Sequence, residues 1–334
     1  AKGSKPAKYY GQEFVSGKSG LALEYNEGQL VTDGSRVSFE RVDPFTVSFW
    51  INSPKSFDEA RVIFNGNGRI QGYRGWDIVM DSSKVSFRLS HAHPYQSLDI
   101  RMKEELPLNE WQHFIWTYDG SSNAQAMKVY QNGQLAETEI VRNNLYRSAK
   151  PYTDTRATVY ERYNGLILGT SHYDHDFNGG RIDDLRILNK EAGSLIAKYL
   201  YDEAAGKTGF SEAISARSEK AKEFYSLHLN TGLKLRREEL REIRLREVQT
   251  IDTVQEIKPI HVPEKTLSKE FDTPPPIQTE STESENEDMV RDKTMTPIDD
   301  EKHVTFNETN TETVETDGVE LDAYLDQLAD KILE

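Results

Sequence analysis

The chain has 334 residues and a net charge of −15, with 36% apolar and 29% charged side chains. That length holds one large or two ordinary domains, and the polarity predicts that part of the chain has no packed core. Cysteine is absent, which excludes disulfides, thiolate metal sites and covalent haem attachment, and no run approaches the roughly 20 apolar residues of a membrane helix.

Residues 1–16 are basic and aromatic without a clear period and read as a lead-in. The chain starts at Ala1 with no apolar signal-type core, the expected form of a fragment or a processed product. From residue 17 to about residue 188 the pattern changes to short runs punctuated by turn residues. SGLALEY (19–25), RVSFE (36–40), PFTVSFWI (44–51), RVIFN (61–65), GWDIVM (75–80), KVSFRLS (84–90) and SLDIRM (97–102) are rich in β-branched and aromatic residues. Many alternate apolar with polar, as a half-buried strand does. The stretch 110–135, EWQHFIWTYDGSSNAQAMKVYQNGQL, is the most informative. One apolar strand ends in Asp119-Gly120 and a second runs into Asn132-Gly133, dipeptides that supply the positive φ of tight strand connections. Residues 137–165 form a long polar segment with few strand signals and read as a loop, and GLILG (165–169) and GRIDDLRIL (180–188) complete the strand series. Strands at this spacing predict an all-β antiparallel sandwich over residues 17–200.

These residues also resemble the LamG-like jelly roll, the sandwich shared by concanavalin A-like lectins and glucanases. The resemblance lies in Trp111 and His113, in Tyr118-Asp119-Gly120 and in Tyr130-Gln131-Asn132-Gly133. PFTVSFW, GWDIVMDSSKVSFRLS and FNGGRIDDLRIL extend it in the family's order. It implies a binding rather than a catalytic role, in an extracellular or cell-envelope location. It also implies a structural calcium ion at the sheet edge, held by Asp183 together with groups of the N-terminal strand around Glu24. By simple alternation Asp183 shares a face with Leu185 and Ile187, where a carboxylate needs a cation or hydrogen-bond donors. An arginine salt bridge or capped backbone N–H groups would meet the same need, so both readings stand at this point.

Residues 191–200 read as a short helix closing the sandwich. Residues 211–257 are rich in Glu, Arg, Lys, Leu and Ala, with Leu229, Leu233, Leu240, Ile243, Val248, Ile251 and Val254 at mixed helical spacings. They predict a helical appendage over 201–257, broken near Asn230-Thr231-Gly232. Its part REELREIRLREVQTIDTVQEI (237–257) resembles the stretch after the LamG-like region in large bacterial envelope proteins that carry an upstream cytochrome c-like segment. No haem function transfers, because no CxxCH exists. The acidity belongs to the end of the chain: residues 258–334 hold 21 acidic and 7 basic side chains, against 35 and 34 in residues 1–257. A near-neutral body offers no basic footprint for nucleic acid. Residues 258–318, acidic and with Pro274-Pro275-Pro276, predict a disordered linker. In residues 319–334, Leu321, Tyr324, Leu325, Leu328 and Ile332 fall on one helical face, the pattern of a peptide that folds on a protein partner or of a frayed terminus.

Sugar rings stack on aromatic side chains, while their hydroxyls take hydrogen bonds from planar polar groups. Tyr73, Trp76, His93, Tyr95 and Tyr173 lie near predicted loops or strand ends and form the candidate ligand set; Trp50, Trp111 and Trp116 sit inside apolar strands and read as core. His91, His93, His172 and His175, with Asp174 and Asp176, match no metal-ligand spacing. Glycoside hydrolysis needs two carboxyl groups roughly 5–10 Å apart. The superfamily's glucanases place theirs in an alternating Glu-x-Asp-x-Glu strand that is missing here. The expectation is therefore a non-catalytic module that binds carbohydrate or a cell-surface protein, with a structural or protein-interaction spacer domain as the alternative and a glycoside hydrolase behind both.

Overall fold

The computed structural model describes residues 8–153, 165–171 and 175–253. The chain divides into two units, Ala1–Pro259 and Ile260–Glu334, and every described residue lies in the first. The expected acidic linker and C-terminal helix therefore lie outside the described residues, as do Tyr173, His172 and Asp174.

The described residues form β1 (Lys8–Ser16), β2 (Leu21–Thr32), β3 (Phe45–Asn52), β4 (Phe57–Gly66), β5 (Gly75–Ser82), β6 (Lys84–Ala92) and β7 (Gln96–Met102). They continue with β8 (Gln112–Tyr118), β9 (Lys128–Gln131), β10 (Gln134–Leu135), β11 (Thr138–Asn143), β12 (Leu166–Leu168) and β13 (Arg181–Leu188). Four helices follow: α1 (Ser194–Tyr201), α2 (Glu203–Ser215), α3 (Glu219–Phe224) and α4 (Thr231–Thr253). The strands make a sandwich of two antiparallel layers, β10-β9-β8-β3-β13 and β12-β4-β5-β6-β7-β11. The long β2 belongs to both. Its Leu23 and Glu24 face Ile182 and Arg181 of β13, while Leu30, Val31 and Thr32 face Leu168, Ile167 and Leu166 of β12.

The layers close because alternation sends one apolar set inward from each strand. Phe45 anchors the centre, stacked on Phe39 at 4.5 Å and meeting Trp116 edge-on at 4.8 Å. Trp76 packs on the same group, and its indole N–H reaches Val37 O at 2.7 Å, so the one polar atom of the ring is satisfied. The turn expected at Asn132-Gly133 joins β9 to β10, with φ of 49° and 76° at the two residues.

Three segments depart from the sequence reading. Residues 8–16 are not a lead-in but a strand paired along β2. RVSFE (36–40) is not a strand: Asp33 Oδ1 accepts Ser35 N at 3.0 Å, starting a 3-10 turn over Ser35–Val37. Its apolar residue Phe39 plugs the sandwich instead. Within the polar segment 137–165, residues 138–143 pair with β7 as edge strand β11. Helix α2 falls within the expected appendage, although Gly206 and Gly209 lower its helix propensity. Gly206 is used for close approach, since a Cβ there would stand 2.3 Å from Tyr199 Cα of α1.

The helical break falls where expected. A π-type turn over Tyr225–Leu229 ends at Asn230, whose side chain caps Leu233 N at 2.9 Å as α4 begins. Helix α4 docks on the sandwich through Arg241, which donates to Asp43 Oδ1 at 2.7 and 2.9 Å, and through Arg244 to Gly120 O at 3.2 Å. Val248 is buried beside these anchors. Among the described residues no helix is long and apolar enough to cross a membrane.

Candidate binding face

On β5, Trp76, Ile78 and Met80 point into the core, so Asp77 points to the opposite face of the layer. The same alternation turns Arg88 of β6 and Asp99 of β7 outward, and the register sets Asp77 opposite Arg88 and Arg88 opposite Asp99. Arg61 of β4 joins the row, its Nε 3.3 Å from Asp77 Oδ2. Arg88 grips Asp77 with both arms, Nε to Oδ1 at 2.8 Å and Nη2 to Oδ2 at 2.5 Å. Glu59 Oε1 lies 3.0 Å from Arg61 Nη2 and 3.5 Å from Arg88 Nη1.

These charges are almost out of water: Arg61, Asp77, Arg88 and Asp99 expose 0%, 2%, 5% and 4% of their surface. Burial alone would raise the carboxyl pKa of Asp77, but the Arg88 guanidinium overrides it and holds the group below the ordinary carboxylate range. Glu59 is held low in the same way by Arg61 and Arg88, against the upward pull of its partial burial. Both are fixed anions and poor proton donors. Asp99 differs: its Oδ2 lies 3.3 Å from His93 Nε2, and its buried Oδ1 has no hydrogen-bond partner.

Tyr73 covers one end of the row, with the Arg61 guanidinium 3.7 Å from its ring centre. At the other end the β6–β7 connection exposes Tyr95 by 80%, and Tyr146 stands 54% exposed nearby. Gln96 Nε2 donates to Tyr146 Oη at 2.9 Å. Asn144 ties the two sides together: its Nδ2 donates to Tyr95 O and its Oδ1 accepts Ser97 N at 3.2 Å. From Asn144 the chain runs as a strap across the ends of the strands. His91 Nδ1 meets Ser148 O at 2.8 Å, Arg74 donates to Lys150 O, and Asn67 exchanges two hydrogen bonds with the Tyr152 backbone at 2.6 and 3.0 Å. Glu40, in the connection before β3, also secures the strap, accepting Ser148 Oγ at 2.6 Å and Ala149 N at 2.8 Å.

Of the candidate ligand set, Tyr73, His93 and Tyr95 therefore come together around one face. Trp76 does not. It is a core residue, 1% exposed, because the strand alternation that turns Asp77 out turns Trp76 in. Arg61, Asp77, Arg88 and Asp99 were missed, although KVSFRLS and SLDIRM place a charge among apolar neighbours at the alternating position. Tyr146 gave no signal, being a lone aromatic in a polar segment.

Asp183 and Glu24 lie at the β13–β2 edge. A bulge between Asp183 and Arg186 breaks the expected alternation: Asp183 pairs with Trp50 and Arg186 with Ser48, so these two share a side and Leu185 and Ile187 take the other. Asp183 Oδ2 accepts Ser19 N at 3.0 Å and Oδ1 accepts Asp184 N at 2.8 Å. A Cβ at Gly17 would stand 2.5 Å from that Oδ2, so the carboxylate sits directly on the 17–20 turn. Glu24 is paired with Arg181 across the strands. These groups find donors within the protein, as the side chains of a clamped turn do. Among the described residues no three His, Asp or Glu side chains are gathered as a metal site.

Residues 26–194, from within β2 to the start of α1, match the family model of the concanavalin A-like lectin/glucanases superfamily. The chain belongs to that superfamily. No curated protein matches the sequence. Among solved structures, the chain is similar to the binding domain of Paraclostridial Mosquitocidal Protein 1, with 15% identity and a TM-score of 0.44 over 60% of this chain and 47% of that one. It is similar to the botulinum neurotoxin serotype G binding domain, with 17% identity and a TM-score of 0.41 over 59% of this chain and 48% of that one. Domain 4 of AbnA, a GH43 extracellular arabinanase from Geobacillus stearothermophilus, its structure being that of the domain in complex with arabinotriose, matches at 17% identity and a TM-score of 0.43, over 60% of this chain and 90% of that domain. The chain spans about half the length of the two toxin binding domains it matches.

Proposed function

We propose that the first unit is a non-catalytic carbohydrate-binding or surface-recognition module of a larger extracellular or envelope protein. The observation that carries this reading is the rim at the β6–β7 connection, where Tyr95 stands exposed on a backbone held by Asn144 and Tyr146 stands exposed with its hydroxyl held by Gln96. Exposed aromatics on a fixed frame stack on sugar rings at low entropic cost. Tyr73 and His93 flank the rim.

Catalysis finds no support on this face. A glycosidase acid needs a carboxyl group held protonated beside a second, free carboxylate. Asp77 and Glu59 are instead held ionised by arginines. Screening the full chain on a glycan array, beside Tyr95→Ala, tests the proposal. Retention of one glycan class by the parent, weakened in the variant, is the expected result. An array without retained glycans would leave the module as a structural spacer.

A further inference from the structure

The strap that carries the rim has no ladder of its own. After Asn144, whose N–H donates to Ser97 O of β7 at 3.1 Å, residues 145–153 pair with no strand, so side-chain clips from outside must hold their order. One clip comes from beyond the sandwich. In the last turn of α4, Asp252 Oδ1 accepts Ser148 N at 3.3 Å and lies 3.6 Å from Arg147 Nε. Its Oδ2 lies 3.6 Å from Arg74 Nη2. Arg74 grips the strap further along, donating through Nη1 to Tyr152 Oη at 2.9 Å with its guanidinium 4.0 Å from that ring. Other polar anchors of α4 reach Asp43, Gly120, Arg41 and Ser226, which lie off the strap.

We propose that Asp252 is a positioning residue for the Tyr95–Tyr146 rim, so that docking of α4 sets the geometry of the binding surface. One carboxylate is shared by the strap backbone, a strap arginine and the arginine that holds the next strap residues. Ser148 is four residues from Asn144, which holds both Tyr95 O and Ser97 N. The appendage thereby acts on a surface it does not itself touch. This inference rests on the reading of the rim as a binding surface.

Amide hydrogen exchange on the full chain tests it. In Asp252→Asn the amides of residues 144–152 and of Ser97 should exchange about tenfold faster, the scale of one lost charge-assisted hydrogen bond. Those of β3 and β8 should keep their rates. Arg241→Ala, which severs a different α4 anchor, should leave the strap at parent rates. Unchanged strap exchange in Asp252→Asn overturns the proposal, and so does an equal acceleration in Arg241→Ala, which would mean general undocking of the helix. For a glycan retained by the parent on the array, Asp252→Asn should weaken binding about tenfold, again the scale of that one bond. Unchanged affinity beside a faster strap would break the link to the rim. A parent chain that retains no glycan overturns the binding reading, and exchange at Ser97 then decides the positioning by itself.

Discussion

Asp77 and Arg88 meet across β5 and β6 through two hydrogen bonds, 2.8 and 2.5 Å, with both side chains out of water. A buried pair of this kind contributes little over a well-packed apolar pair, but breaking it strands a charge. Arg88→Met should therefore cost about 3–5 kcal/mol in urea unfolding. Asp77→Leu combined with Arg88→Met should recover much of the loss. A single variant within about 0.5 kcal/mol of the parent, the range of an ordinary surface substitution, would mean that the row is hydrated.

Acid should weaken the fold in two stages. Burial drives the His113 pKa down from 6.5 to about 4, helped by Arg186, and the ring stays neutral beneath Tyr201 with Nε2 3.0 Å from Ser48 Oγ. His91 and His228 are lowered to about 4 by burial and by nearby basic groups, Arg74 and Lys190 first among them. Between pH 6.5 and 4 the unfolded chain binds protons that the native chain refuses, so stability falls as pH falls through that window. For His113 the full effect is on the order of 3 kcal/mol. His113→Gln should flatten the urea midpoint between pH 6.5 and 4; an equally steep curve would remove His113 as a contributor. Below about pH 4, the ordinary carboxylate range, the depressed carboxyls of Asp77 and Glu59 add a second loss, since their stabilisation is present above the unfolded pKa and disappears as pH falls.

Calcium should leave the melting temperature unchanged, because Asp183 already accepts two backbone N–H groups and Glu24 is paired with Arg181. A bound ion at 100 times its dissociation constant would add about 2.7 kcal/mol. A rise in melting temperature with calcium, reversed by chelator and absent in Asp183→Ala, would establish an ion at this edge. Without calcium, Asp183→Ala should still destabilise, by about 0.5–1.5 kcal/mol, the two freed N–H groups being open to water.

A fragment of residues 1–259 should unfold with the same midpoint and the same cooperativity as the full chain, because the first unit encloses the entire described core. A lower midpoint in calorimetry would assign residues 260–334 a share in its stability.

Period-two patterns made the strands of the sandwich legible, because each needs one buried face and one turn at either end. The same patterns encoded the charged row, but Asp77, Arg88 and Asp99 are single polar residues among apolar ones, and their alignment depends on a register that only pairing fixes. Trp76 was misplaced because nearness to a strand end says nothing about side; the parity of its neighbours does. The bulge after Asp183 was illegible for a related reason. One extra residue reverses every later assignment of face, and it shows only in the pairing with β3. The strap left the weakest trace, since its order is borrowed from Asn67, Arg74, His91 and Asp252, residues far away in sequence.

Strand β2 is counted in both layers, its first half beside β13 and its second beside β12. The two sheets are thus stitched by a single unbroken length of backbone as well as by their shared core. Neither layer can peel away without breaking the pairing of β2 with β12 or with β13.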